Sequence, residues 1–179
     1  MSAVRARHCP PLLDLCMLLP YRELDCPDVE DISRDIWRYL NEGTDIMTVR
    51  SVDKNFTWNF FSPGDLISNV PSLDGWFRGL GLRLRDVAAT VTRTAKGLEA
   101  HKDQPPVVTK INFPVINTRD TWNLWWDDDG HEIARVQMLK PLAFNAAMMH
   151  GVEMGPTCEY PRVVLSCMFM KEPTHLLRI

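Results

Sequence analysis

A chain of 179 residues that is 45% hydrophobic is long enough for one domain with a real core and too short for two comfortable ones. A formal charge of −3 with a pI near 5.9 supplies no broad basic field, so composition gives no support for nucleic-acid binding. The five cysteines, Cys9, Cys16, Cys26, Cys158 and Cys167, never form a CxxC pair, and an odd number beside nine methionines fits a reducing, cytoplasmic compartment better than a disulfide framework.

In chain order, Arg5 and Arg7 precede a short apolar run over residues 11–19. Asp14 interrupts that run, no A-x-A cleavage site succeeds it, and it is far short of the roughly 20 residues a membrane span needs. It reads as an N-terminal strand or docking segment, with no membrane partner. Residues 27–42, PDVEDISRDIWRYLNE, place Ile32, Ile36, Trp37 and Leu40 at helical spacing, with acids early and Gly43 just after. The pattern predicts an amphipathic helix whose Ile36 and Trp37 anchor the core. Phe56, Trp58 and Phe60 alternate as in a strand with one buried face, and Pro63-Gly64 and Pro71-Ser72 punctuate the next stretch of chain. Leu73, Trp76, Phe77 and Leu80 share one side of a second predicted helix.

Beyond Gly81 the hydrophobic period changes to two, through Leu82, Leu84, Val87, Ala89 and Val91. The runs VVTKINFPVIN, TWNLWW, EIARVQML, LAFNAAMM and RVVLSCMFM come next, separated by turn signals such as Asp128-Asp129-Gly130 and Gly155-Pro156. LAFNAAMM reads as one long apolar strand ending on His150, with Gly151 immediately behind it. The whole predicts helices packed outside a β-sandwich or barrel. No internal repeat, low-complexity segment or linker interrupts it.

The chemistry-bearing residues lie in the strand-rich part. Leu98-Glu99-Ala100-His101 reads as a strand end, and His101 and Asp103, two apart on extended chain, can point the same way and reach one metal from a barrel rim. Taken alone the HxD pattern arises readily by chance, and a surface histidine beside a solvated aspartate is the better reading of it. His150 at a strand end supplies a second imidazole, for which a hydrogen-bonded core histidine is the competing reading. Two imidazoles and one carboxylate on one side of a metal, with the other side open, are the ligand set of non-haem iron(II) oxygenases. Arg162 opens a very apolar strand, where a charge entering the core needs a partner, and a guanidinium grips a carboxylate through two parallel hydrogen bonds. Other signals are weaker. Asp127, Asp128 and Asp129 read as a solvated turn, His131-Glu132 lacks the second histidine of HExxH because Arg135 stands there, and the closing residues 173–179, with His175, read as tail. Trp58, Trp122, Trp125 and Trp126 suit core packing better than a recognition wall.

The order HKD, NFPVIN, TWNLWWDDDG, PLAFNAAMMHGVEM, PRVVLSCMF, over about residues 97–170, resembles the Fe(II)/2-oxoglutarate-dependent oxygenase superfamily, particularly its small phage and bacterial members. The resemblance implies a mostly β fold with flanking helices, built on a double-stranded β-helix, the jelly roll of cupin-like barrels. In a single domain spanning residues 1–179, a helical and mixed part over 1–96 would precede a jelly-roll core over about 97–170. It implies Fe(II) held by His101, Asp103 and His150, and 2-oxoglutarate held at its distal carboxylate by Arg162. Asn112, Trp122 and Asn123 would lie on strands lining the co-substrate pocket. Where the family strand often reads Arg-x-Ser, this chain has Arg162-Val163-Val164, with Ser166 two places later. The implied activity consumes dioxygen, releases succinate and carbon dioxide, and hydroxylates a small molecule or a peptide side chain. Halogenation is disfavoured because Asp103 stands where iron halogenases have a small residue, and the second arginine of nucleobase demethylases is missing from the Arg162 strand. The alternative, from another class, is a non-catalytic jelly-roll protein that binds a ligand or partner. A cupin-type enzyme would bring a further histidine where Asp103 is found.

Overall fold

A computed structural model describes residues 18–42, 46–53, 55–104 and 107–179. Most of the run over 11–19 lies outside the described residues, as do Cys9, Cys16 and the expected helix stop at Gly43. The elements in order are β1 (Tyr21–Glu23), α1 (Val29–Asn41), β2 (Thr48–Asp53), β3 (Phe56–Phe61), α2 (Pro63–Asn69), α3 (Pro71–Gly79), β4 (Leu84–Thr92) and β5 (Leu98–His101). Next come β6 (Thr109–Ile116), β7 (Thr121–Trp126), β8 (Glu132–Gln137), β9 (Leu142–Asn145), β10 (Met149–Met154), β11 (Arg162–Phe169) and a short 3-10 helix, Thr174–Leu177.

The helices form for local reasons. In α1, Ile32, Ile36 and Tyr39 fall on one buried face, Glu30 and Asp31 sit in the first turn and Arg38 in the last, so both ends complement the helix dipole. Pro63, a punctuation signal in the sequence, instead starts α2: Ser62 accepts a hydrogen bond from the Asp65 N–H at 3.3 Å and proline occupies the first turn, where its missing N–H costs nothing. The second predicted helix is α3, with Leu73 and Phe77 fully buried.

The strands make two antiparallel sheets, β1-β9-β6-β11-β4-β3-β2 and β5-β10-β7-β8, neither closed on itself. The larger sheet therefore takes strands from both sides of residue 97. Side-chain alternation along it separates two cores. One face carries Val87, Ala89 and Val91 of β4, Ile111 and Phe113 of β6, and Val163, Leu165 and Phe169 of β11 against Ile32, Ile36, Leu66, Leu73 and Phe77 of the helices. Phe77 meets Phe169 edge to face at 4.9 Å, and side chains of this size stabilise by roughly 1.5–3 kcal/mol each when buried. The other face turns Val164, Leu142 and Phe144 toward Trp125, Val136 and Met138 across the space between the sheets. His101, His150 and Arg162 lie on this inner face.

Two expectations are corrected. LAFNAAMM is not one strand: β9 ends at Asn145, the chain turns through residues 146–148, and β10 begins at Met149 in the other sheet. The reason is the Asn145 side chain, whose carbonyl accepts from the Ala147 N–H at 3.3 Å while its amide donates to Leu19 O, pinning a turn inside an apolar run. The closing residues are not free tail either. Leu19 N–H donates to Leu177 O at 2.8 Å, Leu18 bridges Arg178, and Leu177 is fully buried. Among the described residues Cys26, Cys158 and Cys167 are free thiols, and no helix is long and apolar enough to cross a membrane.

Candidate metal centre

His101 is the last residue of β5 and His150 the second of β10, and they are registered partners across that ladder. Directly opposite residues share a face, so both rings project inward. His150 is also registered with Trp125 of β7, whose indole N–H crosses the layer to donate to Asn145 O at 3.2 Å. Gly151 is needed behind His150 because the strands approach closely there: a Cβ would lie 2.8 Å from Leu98 O and 3.3 Å from the Trp126 ring. Asp103 lies in the turn after β5, and its N–H donates to Ala146 O at 3.0 Å, which ties the end of the HKD segment to the β9–β10 connection.

The donor atoms converge. Asp103 Oδ1 lies 3.5 Å from His101 Nε2 and 3.7 Å from His150 Nε2. Each imidazole is oriented by its other nitrogen: His101 Nδ1 donates to Glu99 O at 2.9 Å and His150 Nδ1 to Met148 O at 2.8 Å. That pattern sets the Nδ1–H tautomer and leaves both Nε2 lone pairs aimed inward, as in metal-binding histidines held by a backbone carbonyl. One ligand atom from each of the three residues lies within 4.8 Å of the others, so the group could hold a metal ion. An ion with bonds of about 2.1 Å holds neighbouring donors about 3 Å apart, so each histidine–carboxylate distance would shorten by roughly half an ångström or slightly more around one.

Protonation suits the same role. Burial pushes the His150 imidazole down to about 3, with the Lys110 charge acting in the same direction, so it is neutral at physiological pH. Burial acts to raise the Asp103 carboxyl, but the neighbouring His101 and the Lys110 ammonium outweigh it and hold the group well below the usual carboxylate range. A neutral imidazole, as at His150, and an ionised carboxylate, as at Asp103, are the forms that coordinate metals. Lys110 bonds Asp103 Oδ2, leaving Oδ1 to the histidines, and lies 5.1 Å over the Phe144 ring. No sequence motif singles out this residue, although a lysine in the middle of the apolar run VVTKINFPVI is a visible signal.

A second polar group lies deeper between the sheets. Arg162 is 2% exposed, and its Nε–H crosses from β11 to donate to Thr121 Oγ1 of β7 at 3.0 Å. No carboxylate pairs with it among the described residues, and its Nη2 has no hydrogen-bond partner. Burial lowers the guanidinium to about 10, so it remains charged at neutral pH. Thr92 Oγ1, Asn112 Oδ1 and Asn123 Nδ2 are likewise buried without partners. All four share the inner face: Thr92 is registered with Arg162, Asn112 with Ser166 two pairs from Val164, and Asn123 lies two residues from both Thr121 and Trp125. Unmet buried donors and acceptors cost roughly 1–3 kcal/mol each, so these four atoms call for partners that the described residues do not supply.

Of the expected site residues, the structure brings His101, Asp103 and His150 to one point and sets Arg162, Asn112 and Asn123 on the same inner face. Trp122 is the exception. It alternates to the outer face of β7, where the Arg135 guanidinium lies 5.8 Å from its ring and is itself held by Glu132 and Glu153. The tri-aspartate segment forms a turn, as expected: Asp127 Oδ1 accepts from the Asp129 and His131 N–H groups. Among known proteins, no protein-family model and no curated sequence matches the chain.

Proposed function

We propose that the protein is an Fe(II)- and 2-oxoglutarate-dependent dioxygenase that hydroxylates a small molecule or a peptide side chain. The observation that carries this reading is the convergence of His101 Nε2, His150 Nε2 and Asp103 Oδ1, with both histidines oriented by backbone carbonyls. Nitrogen and oxygen donors in a two-histidine, one-carboxylate set favour iron(II) with coordination positions left open. The strand path supports a jelly roll: β4, β6, β9 and β11 lie in one sheet and β5, β7, β8 and β10 in the other, so the chain passes repeatedly between layers.

Iron(II) in this set, with 2-oxoglutarate and dioxygen, would supply oxidative decarboxylation to succinate and carbon dioxide coupled to hydroxylation of a substrate C–H bond. The chain's own residues would prepare that chemistry. Arg162, charged and without a carboxylate partner among the described residues, would receive the distal carboxylate of the co-substrate. Its level on the strand is that of Thr121, four residues along β7 from Trp125, hence roughly 13 Å of strand from the level of His150. Asn112 and Asn123 would meet its remaining polar atoms, and Lys110 holds the Asp103 carboxylate so that one oxygen stays directed at the metal position.

Anaerobic addition of Fe(II) and 2-oxoglutarate to the purified protein tests the reading. The expected result is a visible charge-transfer band that needs both components, and succinate release on admitting air that His101→Ala abolishes. A protein that stays colourless and binds neither component is instead a jelly-roll binding protein without this catalysis.

A further inference from the structure

The cavity that opens over the metal centre has a volume of about 320 Å³, at the small end of the roughly 300–1,000 Å³ typical of small-molecule sites. Beyond His101 and Asp103, its wall includes Arg50, Trp58, Phe60, Lys102 and Lys110. Trp58 and Phe60 alternate onto the same face of β3, and both are half-buried, so each keeps part of its ring open to the cavity. Arg50 of β2 is registered with Trp58, and its guanidinium lies 5.1 Å over the Phe60 ring. A guanidinium held over a ring in this way keeps N–H groups free for bonds to a carboxylate or phosphate. Among the described residues no carboxylate pairs with Arg50.

The charges around the mouth are one-sided. Its cations are Arg50, Lys102 and Lys110, and its single acid is Asp103, already engaged by Lys110 and the histidines. Lys102 faces Asp128 at 3.1 Å, but that carboxylate is 94% exposed, and a solvated pair of this kind is worth only about 0–1 kcal/mol. A cationic mouth on a chain of net charge −3 concentrates positive potential where a substrate enters.

We infer that the mouth binds a small-molecule substrate carrying both a planar ring and an anionic group, with the ring against Trp58 and Phe60 and the anion on Arg50. The inference rests on the dioxygenase reading and names the substrate class for that site. Carboxylate and phosphate satisfy the guanidinium equally, so the probes separate them.

The test is calorimetric titration of the full chain, loaded with Mn(II) and 2-oxoglutarate, using two matched pairs: phenylacetate against phenethyl alcohol, and adenosine monophosphate against adenosine. At least one anion is expected to bind about tenfold tighter than its neutral partner, the equivalent of about 1.4 kcal/mol. Arg50→Gln, on an exposed residue, should erase that preference, and Trp58→Leu should weaken both members of the pair. Both variants should retain the Fe(II)–2-oxoglutarate colour of the unaltered protein, which shows that fold and metal centre persist. Equal binding of anion and neutral partner, no binding of either anion at millimolar concentration, or a preference untouched by Arg50→Gln overturns the inference while the coloured complex still forms. Loss of the coloured complex with the anion preference intact counts against the dioxygenase reading instead.

Discussion

His101 and His150 face each other as registered partners across the β5–β10 ladder, with ring centroids 4.4 Å apart and planes tilted by 55°. Two imidazoles this close gain little from one another. Their value lies in the Nε2 lone pairs that they direct at the space occupied on its third side by Asp103 Oδ1.

The arginine gives the sharpest separation of function from stability. A buried guanidinium with an unmet N–H group is a poor contributor to folding, and replacing a buried charge by an apolar side chain is often neutral or stabilising by about 1–4 kcal/mol. Arg162→Met should therefore leave the urea midpoint unchanged or raise it. The same substitution should weaken 2-oxoglutarate binding by about tenfold to a hundredfold, as expected for charge-assisted hydrogen bonds worth about 1.5–3 kcal/mol. A large fall in stability would show that Arg162 is structural.

Lys110 is expected to matter most when no metal is bound. Its ammonium is then the main cation facing the half-buried Asp103 carboxylate. Lys110→Met should destabilise the metal-free protein by about 2 kcal/mol. Saturating Mn(II) should restore most of the loss, because the metal supplies the missing charge. Denaturation curves with and without Mn(II) measure both arms, and an equal loss in the two conditions contradicts the idea.

One part of the pH dependence of metal-free stability is expected from His150. Its folded value is pushed down to about 3, against an ordinary 6.5. Below about pH 6.5 the unfolded chain takes up a proton here and the folded protein does not, so the stability is complete above that pH and is lost as pH falls toward 3. The slope reaches about 1.4 kcal/mol per pH unit for this one group. His150→Gln should remove that part of the slope in urea titrations between pH 7 and about 4.5, and an unchanged slope would rule His150 out as its source.

Gly151 couples the backbone to the site. In Gly151→Ala the new methyl group meets Leu98 O at 2.8 Å, backbone that has little room to move. Overpacking of this kind costs about 1–3 kcal/mol. Because β5 carries His101, the displacement should also weaken Mn(II) binding. Calorimetry alongside a thermal melt checks the pair, and retention of full metal affinity with a lowered melting temperature would separate strand packing from ligand placement.

Much of this architecture is visible in one dimension. Periodicity alone marks α1, α3 and most strands, because burial of one face imposes a repeat of 3.6 or 2 on the residues themselves. The HKD segment and Arg162 are legible as candidates because a histidine-acid pair at a strand end, and a cation at the head of an apolar strand, stand out against their surroundings. The boundary between β9 and β10 is not legible, since Ala146, Ala147 and Met148 are as apolar as their neighbours and only the Asn145 hydrogen bonds turn the chain there. Nor is the outward direction of Trp122, which depends on the register of β7 with β8 and β10. The sequence by itself determined that His101, Asp103, His150 and Arg162 are candidates for metal and anion chemistry, since that capacity belongs to side-chain type. Only the tertiary structure decided that His101, Asp103, Lys110 and His150 meet at one point and that Arg50 and Trp58 stand at its mouth. Those contacts arise from pairing between strands distant in the chain and from packing of one sheet on the other, which no local pattern encodes.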